Sequence, residues 1–120
     1  MGQDLCAHCR MAIVSQTTAA QIAAPGEEPV LFDEIGCLRD YLAATPLAQG
    51  AVVYVADHRT RAWVDARLAV FTRTAVSTPM GSGLLAHAGA ASRDADPATQ
   101  GGQAVTASAV LLSPERSIKP

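Results

Sequence analysis

A 120-residue chain can fold as one compact domain that buries roughly two-thirds of its unfolded surface, so neither a metal nor a disulfide is required for folding. Alanine inflates the 49% hydrophobic fraction and aromatics are only 4%, which predicts a thin, close-packed core of Val, Leu, Ile and Ala. A net charge of −2 with nine scattered Lys and Arg excludes the clustered basic face of a nucleic-acid binder, and no apolar stretch nears the roughly 18 residues of a membrane span.

The chain opens on "MGQDL", which lacks the basic start and apolar segment of an export signal, so it reads as cytosolic or as a mature fragment. "CAHCRM" follows at residues 6–11, with two thiols, an imidazole and a thioether, although the whole chain has three Cys, three His and three Met. An odd cysteine count excludes a full disulfide framework. One disulfide plus a thiol, or thiolates kept for a metal, both remain open.

Residues 11–24 begin with a β-prone run and predict a strand, and "PGEEP" at 25–29 is a turn. "VLF" at 30–32 is a short strand. "DEIGCLRDYLAATP" predicts a helix with Asp33 as N-cap, Glu34 at the positive end of its dipole and Pro46 as its stop. Ile35, Leu38 and Leu42 form its buried stripe with Tyr41 beside it, and Cys37 at the stripe's edge reads as a small buried hydrophobe rather than a ligand. "AVVYVADH" at 51–58 is a strand with a charged turn that leaves His58 in solvent. Residues 62–74 read as one further strand. "STPMGSG" is a loop, residues 84–95 have helical composition, and "QAVTASAVLL" is a last strand before a flexible tail at 113–120.

Written out, this order is a ββαβ unit twice over, at a period of about 55 residues. The expected fold is α+β, two similar halves of mainly antiparallel strands, divided as residues 1–58 and 59–112.

Chemistry concentrates in Cys6, His8, Cys9 and Met11. Thiolates and thioethers are soft donors that select Cu(I), and imidazole suits copper and zinc alike. On a strand Cys9 and Met11 would share a face. A redox dithiol would instead open a helix that lowers its thiol pKa, and none follows the motif. A structural zinc site wants four closed ligands, and no second C-x-x-C or H-x-x-x-H is present. Met80, between Pro79 and Gly81, lies in a loop with no apolar face to fill, where its sulfur could close over a metal held elsewhere. His87 reads as a surface or hydrogen-bonded histidine. Asp33, Glu34, Asp57 and Asp65 are explained as caps, turns and solvated faces, and no hydrolase or nucleotide motif is present.

In order along the chain, "CAHCRMAI", "FDEIGCL", "YVADHRTRAWVDARLAVF" and "TPMGSGLLAH" resemble the NosL family, the nitrous-oxide-reductase accessory proteins. The likeness runs from about Cys6 to Leu112; C-x-M and the T-P-M-G loop are its most specific parts. It implies a Cu(I)-binding chaperone, not an enzyme, that serves copper-site assembly in the periplasm, commonly as a lipoprotein. It also implies two homologous ββαβ halves.

Carried over onto this chain, the resemblance makes Cys9, Met11 and Met80 the expected copper ligands. Cys6 falls within the pattern of part of the family, and His8, standing where an aromatic is expected, is either an extra ligand or a substitution. The implied partners are a copper-receiving metalloenzyme such as nitrous oxide reductase and copper-handling membrane proteins, with no nucleic acid and with membrane contact only through a lipid anchor that this sequence does not carry. Two other functions fit the residues: a thiol–disulfide redox protein using Cys6 and Cys9, and a zinc-stabilised interaction module.

Overall fold

Alternating burial builds the first sheet. In β1 (Ala20–Ala23), Ala20 and Ile22 point into the core while Gln21 and Ala23 lie at its edge, the two-residue period of a half-covered strand. The computed structural model describes residues 5–10, 12–13 and 16–111. β1 is central: β2 (Val30–Phe32) pairs with it antiparallel on one side, with Ala20 opposite Phe32, and β3 (Val52–Ala56) on the other, with Ala20 opposite Val55. β4 (Trp63–Asp65) extends the sheet from β3, giving the order β2-β1-β3-β4.

The second sheet has the order β6-β5-β7, built from β5 (Val70–Arg73), β6 (Leu84–His87) and β7 (Gln103–Val105), again antiparallel. Each sheet places the earliest of its strands between the next strand and one that returns after a helix. The fold is therefore α+β with a repeated strand order, as expected. A parallel bridge between Asp57 and Ala86 joins the two sheets, supported by the His58 N–H, which donates to the Ala86 carbonyl at 2.8 Å.

α1 (Ile35–Ala44) buries Ile35, Cys37, Leu38 and Leu42 on one stripe and lies against β1, β2, β6 and α3 (Ala107–Leu111). Tyr41 packs edge-on against Phe32 with ring centroids 5.1 Å apart. The apolar cluster runs continuously from Cys6 and Ile13 through Phe32, Val55, Phe71 and Leu84 to Val110, so both sheets share one core. Among the described residues no helix is long and apolar enough to cross a membrane.

Several local expectations change. Among the described residues of 11–24 only Ala20–Ala23 forms a strand; Ala12 makes an isolated antiparallel bridge with Leu5, while Met11 and residues 14–15 lie outside the described residues. Residues 62–74 form two strands, because the Asp65 carboxylate accepts from the Arg67 N–H at 2.9 Å and a turn closes from the Leu68 N–H to the Asp65 carbonyl. "LLAH" at 84–87 is a strand with all four residues buried, and the helix begins only at α2 (Ala90–Ala95). A short apolar run covered on both faces has no period to betray it. The final predicted strand stops at Val105, because the Thr106 hydroxyl accepts from the Ala109 N–H at 3.1 Å and starts α3. Residues 113–120, expected as a tail, lie outside the described residues.

Candidate metal centre

Cys6 to Arg10 form a single tight turn, closed by the Arg10 N–H donating to the Cys6 carbonyl at 2.9 Å. Arg10 sits at φ 70, a left-handed conformation that reverses the chain after one turn. The turn lies beside β2, where the Ala7 N–H donates to the Leu31 carbonyl at 2.8 Å. Three residues apart on such a turn, Cys6 and Cys9 face the same way, and the Cys9 N–H points at Cys6 Sγ from 3.5 Å. Cys37, in the first turn of α1, completes the group: the three sulfurs lie within 4.8 Å of one another. Cys6 and Cys37 are buried, Cys9 is half-buried, and no disulfide links them.

The electrostatics divide these thiols. Burial works against ionising Cys6, but the backbone N–H groups of Cys9, Asp33 and His8 outweigh it and hold its thiol below the ordinary value. Burial first, then the neighbouring Cys6, pushes Cys37 well above the thiol range. Three thiolates in one buried pocket repel each other; a bound cation is what would let all three lose their protons.

Met80 reaches this corner through Glu34. The Glu34 side chain is buried, and its Oε2 accepts from the Met80 N–H at 2.7 Å. Burial disfavours the Glu34 charge, yet hydrogen bonds from the Ser82 and Thr78 hydroxyls and the Met80 N–H keep its carboxyl below the usual range. Thr78 also accepts from the Gly83 N–H at 3.0 Å, so one carboxylate organises the whole 78–83 loop. The loop lies close on α1 because residue 36 is glycine: a Cβ there would come within 2.6 Å of Ser82 Cβ. A cavity of about 280 Å³ results, lined by His8, Cys37 and Met80 with Glu34 and Asp40.

The structure thus gathers Cys6 and Cys9 with Cys37, and sets His8 and the half-exposed Met80 around an adjoining cavity that Cys37 shares. His8 Nε2 lies 4.0 Å from the Asp40 carboxylate. Met11, the remaining expected ligand, is outside the described residues. Cys37 is the member that sequence reasoning missed. Its available signal was its position in the first turn of a helix, where the dipole favours a thiolate.

Three other expectations are corrected. Asp33 is not the helix cap. Glu34 holds that position, makes no side-chain cap bond and instead secures the Met80 loop, while Asp33 is buried with Oδ1 lacking a partner among the described residues. Asp57 is not a solvated turn residue but fully buried. His58 is not a free surface residue but mostly buried: its Nδ1 lies 2.7 Å from Asp96 Oδ2, and His87 Nε2 is 2.8 Å from the same oxygen.

No curated protein matches the chain. Among solved structures, the copper chaperone NosL from Shewanella denitrificans is similar, with a TM-score of 0.69, 19% identity and 88% of each chain covered, which establishes a shared fold. The NosL family matches residues 1–112, nearly the whole length, and the chain belongs to that family.

Proposed function

We propose that this protein is a Cu(I) carrier that takes up the ion at Cys6, Cys9 and Cys37 and passes it to a client by ligand exchange. The convergence of three sulfurs from two separate segments carries the reading. Sulfur-only coordination suits a soft monovalent ion, and a half-buried Cys9, with Cys37 on the wall of the adjoining cavity, leaves an approach for an incoming donor. Met80 and His8 are the donors that would meet the ion at this mouth on entry or release. Membership of the NosL family and the fold shared with a copper chaperone support a carrier rather than a catalyst.

The client in this reading is a copper enzyme such as nitrous oxide reductase, served in the periplasm with copper-handling membrane proteins as suppliers and a lipid anchor as the membrane tether. A chromogenic Cu(I) chelator tests the carrier itself. The chain is expected to withdraw one Cu(I), and Cys9→Ser and Cys37→Ser are each expected to weaken it by more than about a hundredfold, beyond the 10–100-fold typical of an outer partner. Unchanged affinity in both variants defeats the reading.

The paired Cys6 and Cys9, with Cys6 held below the ordinary thiol value, also suit a redox dithiol. That alternative predicts a reversible disulfide with an oxidoreductase-range potential and no dependence on Cys37 or Met80.

A further inference from the structure

Besides the sulfur group, three elements bring a second donor set together. His58 follows β3, His87 ends β6, and Asp96 stands between α2 and the 3₁₀ turn Pro97–Thr99. One ring nitrogen from each of His58 and His87 and an Asp96 oxygen lie within 4.8 Å of one another. Both imidazoles point at the same oxygen, Asp96 Oδ2, from 2.7 and 2.8 Å, while Asp96 Oδ1 is taken by the Ala98 N–H at 3.0 Å. The rings stand nearly edge to face, 6.1 Å apart.

The scaffold under these residues is stiff. The bridge between Asp57 and Ala86, with the His58 N–H on the Ala86 carbonyl, fixes the two histidines relative to each other. Buried Asp57 then accepts from the Arg59, Thr60 and Ala88 N–H groups and from the Ser92 hydroxyl, tying the turn after β3 to the start of α2.

His87 supplies a second, independent observation. It is fully buried, and its Nδ1 has no partner among the described residues. A half-satisfied buried imidazole is costly where an apolar side chain would fill the same space. A stronger bond at Nε2 than a hydrogen bond to Asp96 would account for keeping it. His58 remains 20% exposed, and Asp96 borders an open cavity of about 380 Å³ that also has Asp94 on its wall, so an ion has a path in.

We infer that His58, His87 and Asp96 form a second metal site, specific for a divalent, imidazole-seeking cation of the Zn(II) or Cu(II) class. Two neutral nitrogens and one carboxylate, with no sulfur, suit borderline divalent ions and not Cu(I). The cation takes the place of the protons now shared between the imidazoles and the carboxylate, and a position remains open on the solvent side for water or an exchanging ligand. This inference stands apart from the sulfur-site reading.

The test is a calorimetric Zn(II) titration of the full chain presaturated with Cu(I), followed by Co(II) as a spectroscopic probe. One Zn(II) should bind, and Co(II) should give ligand-field bands without the sulfur-to-metal charge-transfer absorption of a thiolate site. His58→Ala and Asp96→Asn should weaken Zn(II) by more than about tenfold, and leave Cu(I) uptake unchanged. His58 is the informative variant, because its partial exposure lets the fold survive truncation, which thermal unfolding verifies. Zn(II) binding equal in wild type and both variants, or no binding in the folded His58→Ala and wild-type chains alike, overturns the inference. Should the thiols take no Cu(I), the carrier reading alone falls, and the difference between wild type and His58→Ala still decides this site.

Discussion

The sulfur group and the histidine–aspartate group are built by opposite means. At the first, a single turn with Arg10 in the left-handed region presents two cysteines, a helix start presents a third, and a loop with a half-exposed methionine closes the side. At the second, two strand ends are bridged through backbone and a buried carboxylate spends all its acceptor capacity on the surrounding segments. Cys6 and Cys9 stand on one tight turn, whereas His58 and His87 are held together by the backbone bridge between Asp57 and Ala86.

Substitutions can break that contrast, and the largest effect is expected at Asp57. Asp57→Ala strips four donors of a charged acceptor at a fully buried position and should cost about 3 kcal/mol in urea unfolding, with the histidine group disordered first. A cost below about 1 kcal/mol would mean that this half is not stiffened as described.

Acid probes the same carboxylate more gently. Burial would raise its pKa, but the Ala88 and Thr60 N–H groups, the Ser92 hydroxyl and the Arg59 N–H outweigh it and hold Asp57 at about 2. A depressed carboxylate contributes its stability above the unfolded value and loses it as pH falls through the folded one. Asp57 alone should therefore account for a loss of about 2 kcal/mol between roughly pH 4 and pH 2 in the metal-free chain, beside a similar loss from Asp96, also held at about 2, and Asp57→Asn should remove its share of that slope.

The smallest change sharpens the other side of the comparison. Gly36→Ala places a Cβ against Ser82 and the Glu34 carboxylate, and the 78–83 loop, exposed at Pro79, Met80 and Gly81, should yield rather than the helix. Stability should fall by about 1 kcal/mol, while Cu(I) exchange with a chelator speeds up several-fold as Met80 withdraws. An equal loss of stability with unchanged exchange would detach the loop from the sulfur group.

How much of this was legible in the sequence follows from the range of each interaction. The stripe Ile35, Leu38, Leu42 and the turn at 25–29 are local patterns, and the structure reproduces them. The Cys6/Cys9 pair was visible because three residues of spacing suffice to read it. Cys37 was not, because its neighbours in space come from 28 and 31 residues earlier in the chain, and a single cysteine on a helix looks like core. Asp57 and His58 read as a charged surface turn for a similar reason. What buries them is α2 and the strand ending at His87, and nothing within "ADHRTR" announces that cover. Glu34 was assigned to its own helix, whereas its partner is 46 positions away.

That long reach has a consequence for the order in which the molecule becomes competent. As the chain leaves the ribosome, all three thiols have emerged by residue 37, but the wall that Met80 contributes does not yet exist. The Glu34 carboxylate waits with its acceptors empty until the later loop arrives to fill them. Assembly of the cavity beside the three cysteines therefore waits on translation through residue 83: until then Cys37 has no Met80 loop facing it.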